Sequence, residues 1–219
     1  MKRRAALGIL ARGGAALALL GLAGRAVAQE IRARQNIEYR VLANPQPDET
    51  GANVEVIDFF WYGCPYCNEL QPSLFDWIGK KPADVTVRHI PVILKDNWAP
   101  HARIFYTLEL LGELERLHLA VYHSYHVEQL YMSKPDVMEQ WAVKNGIDRR
   151  RWTDAYYSPE VDAKIARAFQ ATKRYDVQGT PSLVVDGRYL TSSSMTPSVR
   201  GVIPVLDDLV RLARQNRAK

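Results

Sequence analysis

The chain has 219 residues, 47% of them hydrophobic, with 29 basic and 24 acidic side chains and a formal net charge of +5. The excess charge lies in residues 1–28, which carry Lys2, Arg3, Arg4, Arg12 and Arg25 and no acids. The remainder is balanced, so the charge gives no ground for a nucleic-acid partner. About 190 residues are left after that segment, enough for one domain with an insertion or two small ones.

Residues 1–28 read as a secretory signal peptide. Lys2, Arg3 and Arg4 form a basic n-region, 13–24 is a short apolar segment, and Ala26-Val27-Ala28 is a small-residue cleavage site before Gln29. Arg3-Arg4 leaves twin-arginine export open beside the general route. The apolar segment is too short to span a bilayer in the ordinary way. Export places the chain in an oxidising compartment, where a lone cysteine pair can act as a disulfide.

Strands are expected over 37–42, 54–61 and 85–90, the last running into Pro91. Asp58 is the misfit in the second strand, between Val56, Ile57, Phe59 and Phe60. A buried acid is disfavoured in its charged form, unless strand curvature lets it reach water. Leu70, Leu74, Trp77 and Ile78 then recur at helical spacing, and Pro72 should kink that helix. From 98 to about 166 the pattern is helical, with candidates at 101–111, 113–128, 135–144, 149–157 and 159–175. Ser133, Asp148 and Ser158 are expected as caps, Gly112 and Gly146 as stops. His118, His123 and His126 read first as a polar helix face, and the aromatic residues here as packing.

The β pattern returns with 182–185, the turn Asp186-Gly187, and 188–191, a hairpin signal. Pro181 heads that strand; a cis Thr180–Pro181 bond fits, and so does a trans turn proline. A final apolar-faced helix is expected over 201–214.

The chemistry sits in Phe59-Phe60-Trp61-Tyr62-Gly63-Cys64-Pro65-Tyr66-Cys67. A strand delivers two cysteines onto the first turn of a helix. Cys64 takes the N-cap, Pro65 the first helical position, and Cys67 N3, whose N–H points back toward Cys64. That N–H and the positive helix end favour a thiolate at Cys64, which the reading also takes as the exposed sulfur. Cys67 can close a ring with Cys64 or attack a mixed disulfide formed there. A zinc site is the competing reading, but no second C-x-x-C pair exists. A purely structural bridge is the other, and a four-residue loop constrains the unfolded chain little.

The stretch Asp58–Cys67, Pro72, and Val177-Gln178-Gly179-Thr180-Pro181 resemble the DsbA family of periplasmic thiol:disulfide oxidoreductases, over nearly everything after about residue 36. The resemblance implies an α/β thioredoxin fold with an inserted helical domain: 29–97 and 167–219 forming the thioredoxin-like part, 98–166 the insertion. It implies Cys64 as nucleophile, Cys67 as buried resolving cysteine, Asp58 as the acid beneath them and Pro181 as a cis-proline opposite. Substrate contacts would come from Pro65, Tyr66, Thr180, Pro181, Trp61 and Tyr62. Tyr66 departs from the pattern, since strongly oxidising members usually carry His there. The implied activity is donation of the Cys64–Cys67 disulfide to reduced exported proteins. The chain would act as a monomer, with no metal, no other cofactor, and reoxidation by a membrane quinone-linked partner of the DsbB type. Other uses of the motif are a periplasmic reductase or isomerase, though no dimerisation domain is visible, and a redox-inert chaperone-like module. The reduced form is expected to be the more stable at pH 7, which requires a folded Cys64 pKa below roughly 5.6.

Overall fold

The computed structural model describes residues 30–47 and 51–218; the expected signal peptide lies outside them. In chain order the strands are β1 (Arg40–Val41), β2 (Val54–Phe60), β3 (Val85–Pro91), β4 (Ser182–Val185) and β5 (Tyr189–Ser192). The helices are α1 (Pro65–Lys80), α2 (Ala99–Leu110), α3 (Leu114–His126), α4 (Pro135–Lys144), α5 (Arg149–Tyr156), α6 (Pro159–Arg174) and α7 (Val202–Arg217).

The strands form one sheet in the order β1-β5-β4-β2-β3. All seven residues of β2 are buried, as a near-continuous apolar run requires of a strand covered on both faces. It runs parallel to β3 and antiparallel to β4. The β4–β5 turn places Asp186 at φ 58° and Gly187 at φ 60°, the paired positive values that Asp-Gly favours. Glycine is needed there twice over, since a Cβ would sit 2.2 Å from the Gln46 carbonyl oxygen.

Side-chain alternation then builds two cores. Val54, Val56, Leu183 and Val185 pack with Leu70 and Leu74 of α1 and Leu206 and Leu209 of α7. Ile57, Phe59 and Val184 join a second cluster with Phe105, Tyr122, Trp152 and Ala168 from the helices between β3 and β4. This is a thioredoxin fold carrying a helical insertion. Pro72 lies inside α1, which continues to Lys80.

Two expectations are corrected. The strand expected over 37–42 shrinks to Arg40–Val41, because Asn36 adopts φ 63° and its N–H turns back to the Tyr39 carbonyl. Ser133 caps nothing: Lys134 occupies the N-cap of α4 and no side chain bonds that end, where Pro135 has no N–H to satisfy. The other caps hold, with Asp148 accepting from the Arg151 N–H and Ser158 from the Val161 N–H.

Urea melts should therefore separate two serines. Ser158→Ala is expected to lower stability by about 1 kcal/mol, the usual cost of losing an N-cap, whereas Ser133→Ala leaves the midpoint unchanged.

Candidate active site

The end of β2 points the chain into α1 through a tight turn, in which the Cys64 N–H donates to the Trp61 carbonyl at 3.0 Å. Gly63 is required inside that turn, because a Cβ would lie 2.3 Å from the Trp61 indole. Trp61 is itself held by stacking on Trp98, with centroids 4.0 Å apart and planes 2° from parallel. Cys64 is the N-cap of α1, Pro65 begins the helix, and the Cys67 N–H donates to the Cys64 Sγ at 3.4 Å. The two sulfurs are unbonded in this structure.

The sulfurs differ sharply. The Cys67 thiol bonding to Cys64 lowers the Cys64 pKa most; the Thr180 side chain and the backbone N–H groups of Cys67 and Tyr66 add to it. Together they overcome burial and bring the Cys64 thiol from 9.0 to about 6. Cys67 is pushed well above the ordinary thiol value, first by burial, then by its bond to Cys64, the Cys64 charge and, further down, the Asp58 charge. Thr180 presents two groups to the N-cap sulfur: its side chain favours the thiolate, while its carbonyl accepts from the protonated Sγ at 3.2 Å.

The expectation that Cys64 is exposed is corrected: only 6% of it is accessible, because the Thr180–Pro181 segment lies across the sulfur. That peptide bond is cis. A cavity of about 640 Å³ opens beside it, lined by Tyr66, Gln178, Thr180, Pro181, Met195 and a run of serines. Tyr66 is 56% exposed and Pro65 is exposed, Trp61 is partly buried, and Tyr62 is fully buried. Tyr62 therefore cannot offer substrate an apolar surface; its ring packs against Phe60 and Tyr122 inside the second core.

Asp58 is fully buried on the α1 side of β2. Its Oδ2 accepts from Gln71 Nε2 at 3.3 Å and meets His89 Nδ1 at 3.0 Å; its Oδ1 has no partner among the described residues. His89 was missed in the sequence, although one signal was available. Aligning the two seven-residue strands at Val54 and Val85 sets Asp58 directly opposite His89, the observed register. The His89 side chain keeps 19% of its surface accessible, which connects the buried acid to solvent.

The histidines expected as a polar helix face part company. His118 is buried and shares a 2.8 Å hydrogen bond with the Tyr62 hydroxyl. His126 Nε2 donates to the Tyr62 carbonyl at 2.8 Å, and His123 sits outside near Glu128. Helical spacing alone misleads here because α3 is sandwiched against β2 through its aromatic neighbours. Among the described residues, no group of three His, Cys, Asp or Glu is placed to hold a metal ion.

Comparisons with known proteins agree with this geometry. The model of the DSBA-like thioredoxin domain matches residues 55–201. The thiol:disulfide interchange protein DsbA of Burkholderia cepacia is 33% identical, over 90% of this chain and 94% of its own length. That of Azotobacter vinelandii is 30% identical over 81% of this chain and 83% of its own. The crystal structure of Pseudomonas aeruginosa DsbA superposes with a TM-score of 0.81 at 28% identity, covering 85% of this chain and 97% of that one. Sheet order, the strand-to-helix placement of the cysteine pair and these matches lead to one conclusion: the chain belongs to the DsbA-like family of thioredoxin-fold thiol:disulfide oxidoreductases.

Proposed function

We propose that the chain is an exported disulfide donor that oxidises reduced proteins in the periplasm through a mixed disulfide at Cys64. The asymmetry of the two sulfurs carries this reading: one thiolate is stabilised while the other sulfur holds its proton. In the oxidised enzyme a substrate thiolate attacks Cys64 Sγ, the Cys64–Cys67 bond breaks, and its electron pair leaves on Cys67. Cys67 then takes a proton, with Asp58 and solvent-connected His89 as the relay. A second substrate thiolate attacks the substrate sulfur and expels Cys64 as the stabilised thiolate. The substrate gains a disulfide and the enzyme becomes the dithiol.

The cavity beside Thr180 and Pro181, with Tyr66 on its rim, suits an extended peptide segment. Two electrons must then leave the enzyme, and a membrane quinone-linked reoxidant of the DsbB type is the partner this reading requires. The helical insertion is taken as 98–166, between thioredoxin-like parts at 29–97 and 167–219, with 1–28 removed on export. Metal and organic cofactors have no part in the scheme.

The Cys64 value also decides how strong an oxidant this is. Closing the four-residue loop stabilises the oxidised form by roughly 1.9 kcal/mol. A folded pKa of about 6, against roughly 8.5 unfolded, stabilises the reduced form at pH 7 by an amount of the same order. The expectation that the reduced form leads at pH 7 therefore stands near balance, because burial opposes the hydrogen bonds to Cys64 and brings the thiol only to about 6.

Three outcomes are expected. Cys67→Ser should accumulate mixed disulfides at Cys64, and Cys64→Ser should abolish oxidase activity; equal trapping by both on non-reducing gels would overturn the assignment of roles. Asp58→Ala should slow reduction of the disulfide by dithiothreitol by about a hundredfold, the low end for loss of general acid–base assistance. An unchanged stopped-flow rate removes Asp58 and His89 from the scheme.

The third concerns pH. A depressed folded pKa gives the reduced form stability that is complete above the unfolded value and lost as pH falls through about 6. The raised Cys67 pKa acts oppositely, and its contribution is lost as pH rises past the unfolded thiol value. Paired urea melts should show the oxidised form ahead below about pH 7.5, a crossover there, and the greatest lead of the reduced form near about pH 8.5. An oxidised form that leads at every pH would mean that the Cys64 thiolate is not stabilised.

A further inference from the structure

The helices between β3 and β4 reach the active-site turn at two adjacent residues. Trp61 stacks on Trp98 and packs against His101 of α2, with ring centroids 5.7 Å apart. Tyr62 is held by α3 at both its ends. Its hydroxyl shares a 2.8 Å hydrogen bond with His118 Nδ1, and its carbonyl accepts from His126 Nε2, two turns further along the helix, also at 2.8 Å. Because a carbonyl can only accept, the proton of that second bond is on His126 Nε2. His126 is the only donor to this oxygen among the described residues. Its ring is itself held, within 18° of parallel to Tyr122 and edge-on to Tyr125. Neither the thiol exchange nor the proton relay described above makes use of it.

Tyr62 and Gly63 are the two central residues of the turn closed by the Cys64 N–H and the Trp61 carbonyl. Such turns differ in which way the peptide between the central residues faces, and the type II form puts the second of them at positive φ. Gly63 is not at positive φ, so that form is absent here. Glycine nonetheless enters it more freely than any other residue, and glycine is required at this position because the Trp61 indole fills the space of a Cβ. The residue that packing demands is therefore the one least able to hold the peptide in place. The orientation has to come from outside the turn, and the His126 bond to the Tyr62 carbonyl supplies it. Turning that peptide over would carry the carbonyl away from Nε2 and rotate the backbone just before Cys64. The N-cap conformation of Cys64, φ -85° and ψ 119°, is what brings its Sγ to 3.4 Å from the Cys67 N–H.

We propose that His126 is a positioning residue for the redox chemistry: its bond to the Tyr62 carbonyl locks the turn that places the Cys64 sulfur on the N-terminus of α1. The helical insertion thus does more than cover the sheet. Through α3 it holds the strand-to-helix turn in the one shape in which the sulfur meets the first-turn N–H groups. The role needs an N–H and no charge, so neutral and protonated imidazole serve alike. It rests on Cys64 being the stabilised thiolate, and on no particular direction of disulfide exchange.

Two variants separate the bond from the packing. His126→Phe keeps a ring against Tyr122 and Tyr125 and removes the donor, leaving the Tyr62 carbonyl unpaired. His126→Gln keeps an N–H at the same reach and removes the ring. The readouts are thiolate absorbance against pH in the reduced protein and equilibrium with glutathione at pH 7. Cys64 in His126→Phe should titrate about one pH unit higher, and the glutathione equilibrium should move about fivefold toward the disulfide; His126→Gln should stay within about twofold of wild type. His123→Ala, on the exposed side of the same helix near Glu128, should change neither readout. A merely structural contact predicts the reverse, a lower melting temperature with the thiolate titration unmoved. A His126→Phe titration that matches wild type, or a His126→Gln titration displaced as far as that of His126→Phe, would overturn the positioning role. In the wild-type protein, imidazole ¹⁵N–¹H spectra should show His126 with a slowly exchanging proton on Nε2; a ring protonated on Nδ1 alone overturns the bond without any variant. A wild-type Cys64 that titrates at the ordinary thiol value would overturn the thiolate reading and this role with it, whereas failure in the variants alone leaves that reading intact.

Discussion

The structure depends on one arrangement: a sulfur held as the N-cap of a helix, where it accepts from first-turn N–H groups. A helix start leaves four backbone donors unpaired, and here the Cys64 Sγ is the acceptor that the Cys67 N–H meets. Every neighbouring choice of residue serves that placement. Pro65 supplies a helical φ where a missing N–H costs nothing. Gly63 gives room for Trp61, which stacks on Trp98 and closes the turn. The buried β2 holds the turn in position, anchored by parallel and antiparallel neighbours at once.

A thiolate made stable in this way needs a counterpart that is not. Cys67 lies three residues further on, fully buried, with the charges of Cys64 and Asp58 opposing its ionisation. The asymmetry comes from the helix itself: N-cap and N3 face one another, but one lies at the mouth of the turn and the other beneath it. Asp58 extends the same logic into the sheet. Burying an acid with one oxygen unpaired is costly, and its partners Gln71 and His89 answer only Oδ2. In the proposed scheme that cost accompanies proton transfer to Cys67, and the His89 side chain beside Asp58 keeps 19% of its surface accessible.

The sequence reveals what is local. C-P-Y-C after a buried run predicts the N-cap, Asp186-Gly187 predicts the hairpin, and Asp148 and Ser158 predict their caps, because each rests on contacts within a few residues. What depends on the other side of a contact stays hidden. Tyr62 reads as a groove residue beside Cys64, yet α3 covers it. His118 reads as surface until β2 is laid against it. Cys64 is covered by Thr180, 116 positions away along the chain. The expected strand over 37–42 fails for a different reason. Its alternation is genuine, but Asn36 reverses the backbone and the Arg34–Glu38 pair fixes the turn.

Tyr66 shows how such a site is tuned. The residue contributes its backbone N–H to Cys64 whatever its side chain, so that part of the stabilisation is fixed by the helix. Its side chain is 56% exposed, where solvent screens any field it sets at the sulfur. A protonated imidazole in that position would set a positive charge beside the thiolate, as the resemblance to strongly oxidising relatives implies. Each unit by which the Cys64 pKa falls is about 1.4 kcal/mol, equal to about 30 mV for a two-electron couple. The geometry of the first turn thus sets a baseline near a pKa of 6, where loop closure and thiolate stability almost cancel. Close to such a balance, one side chain outside the disulfide ring decides which redox form is the more stable.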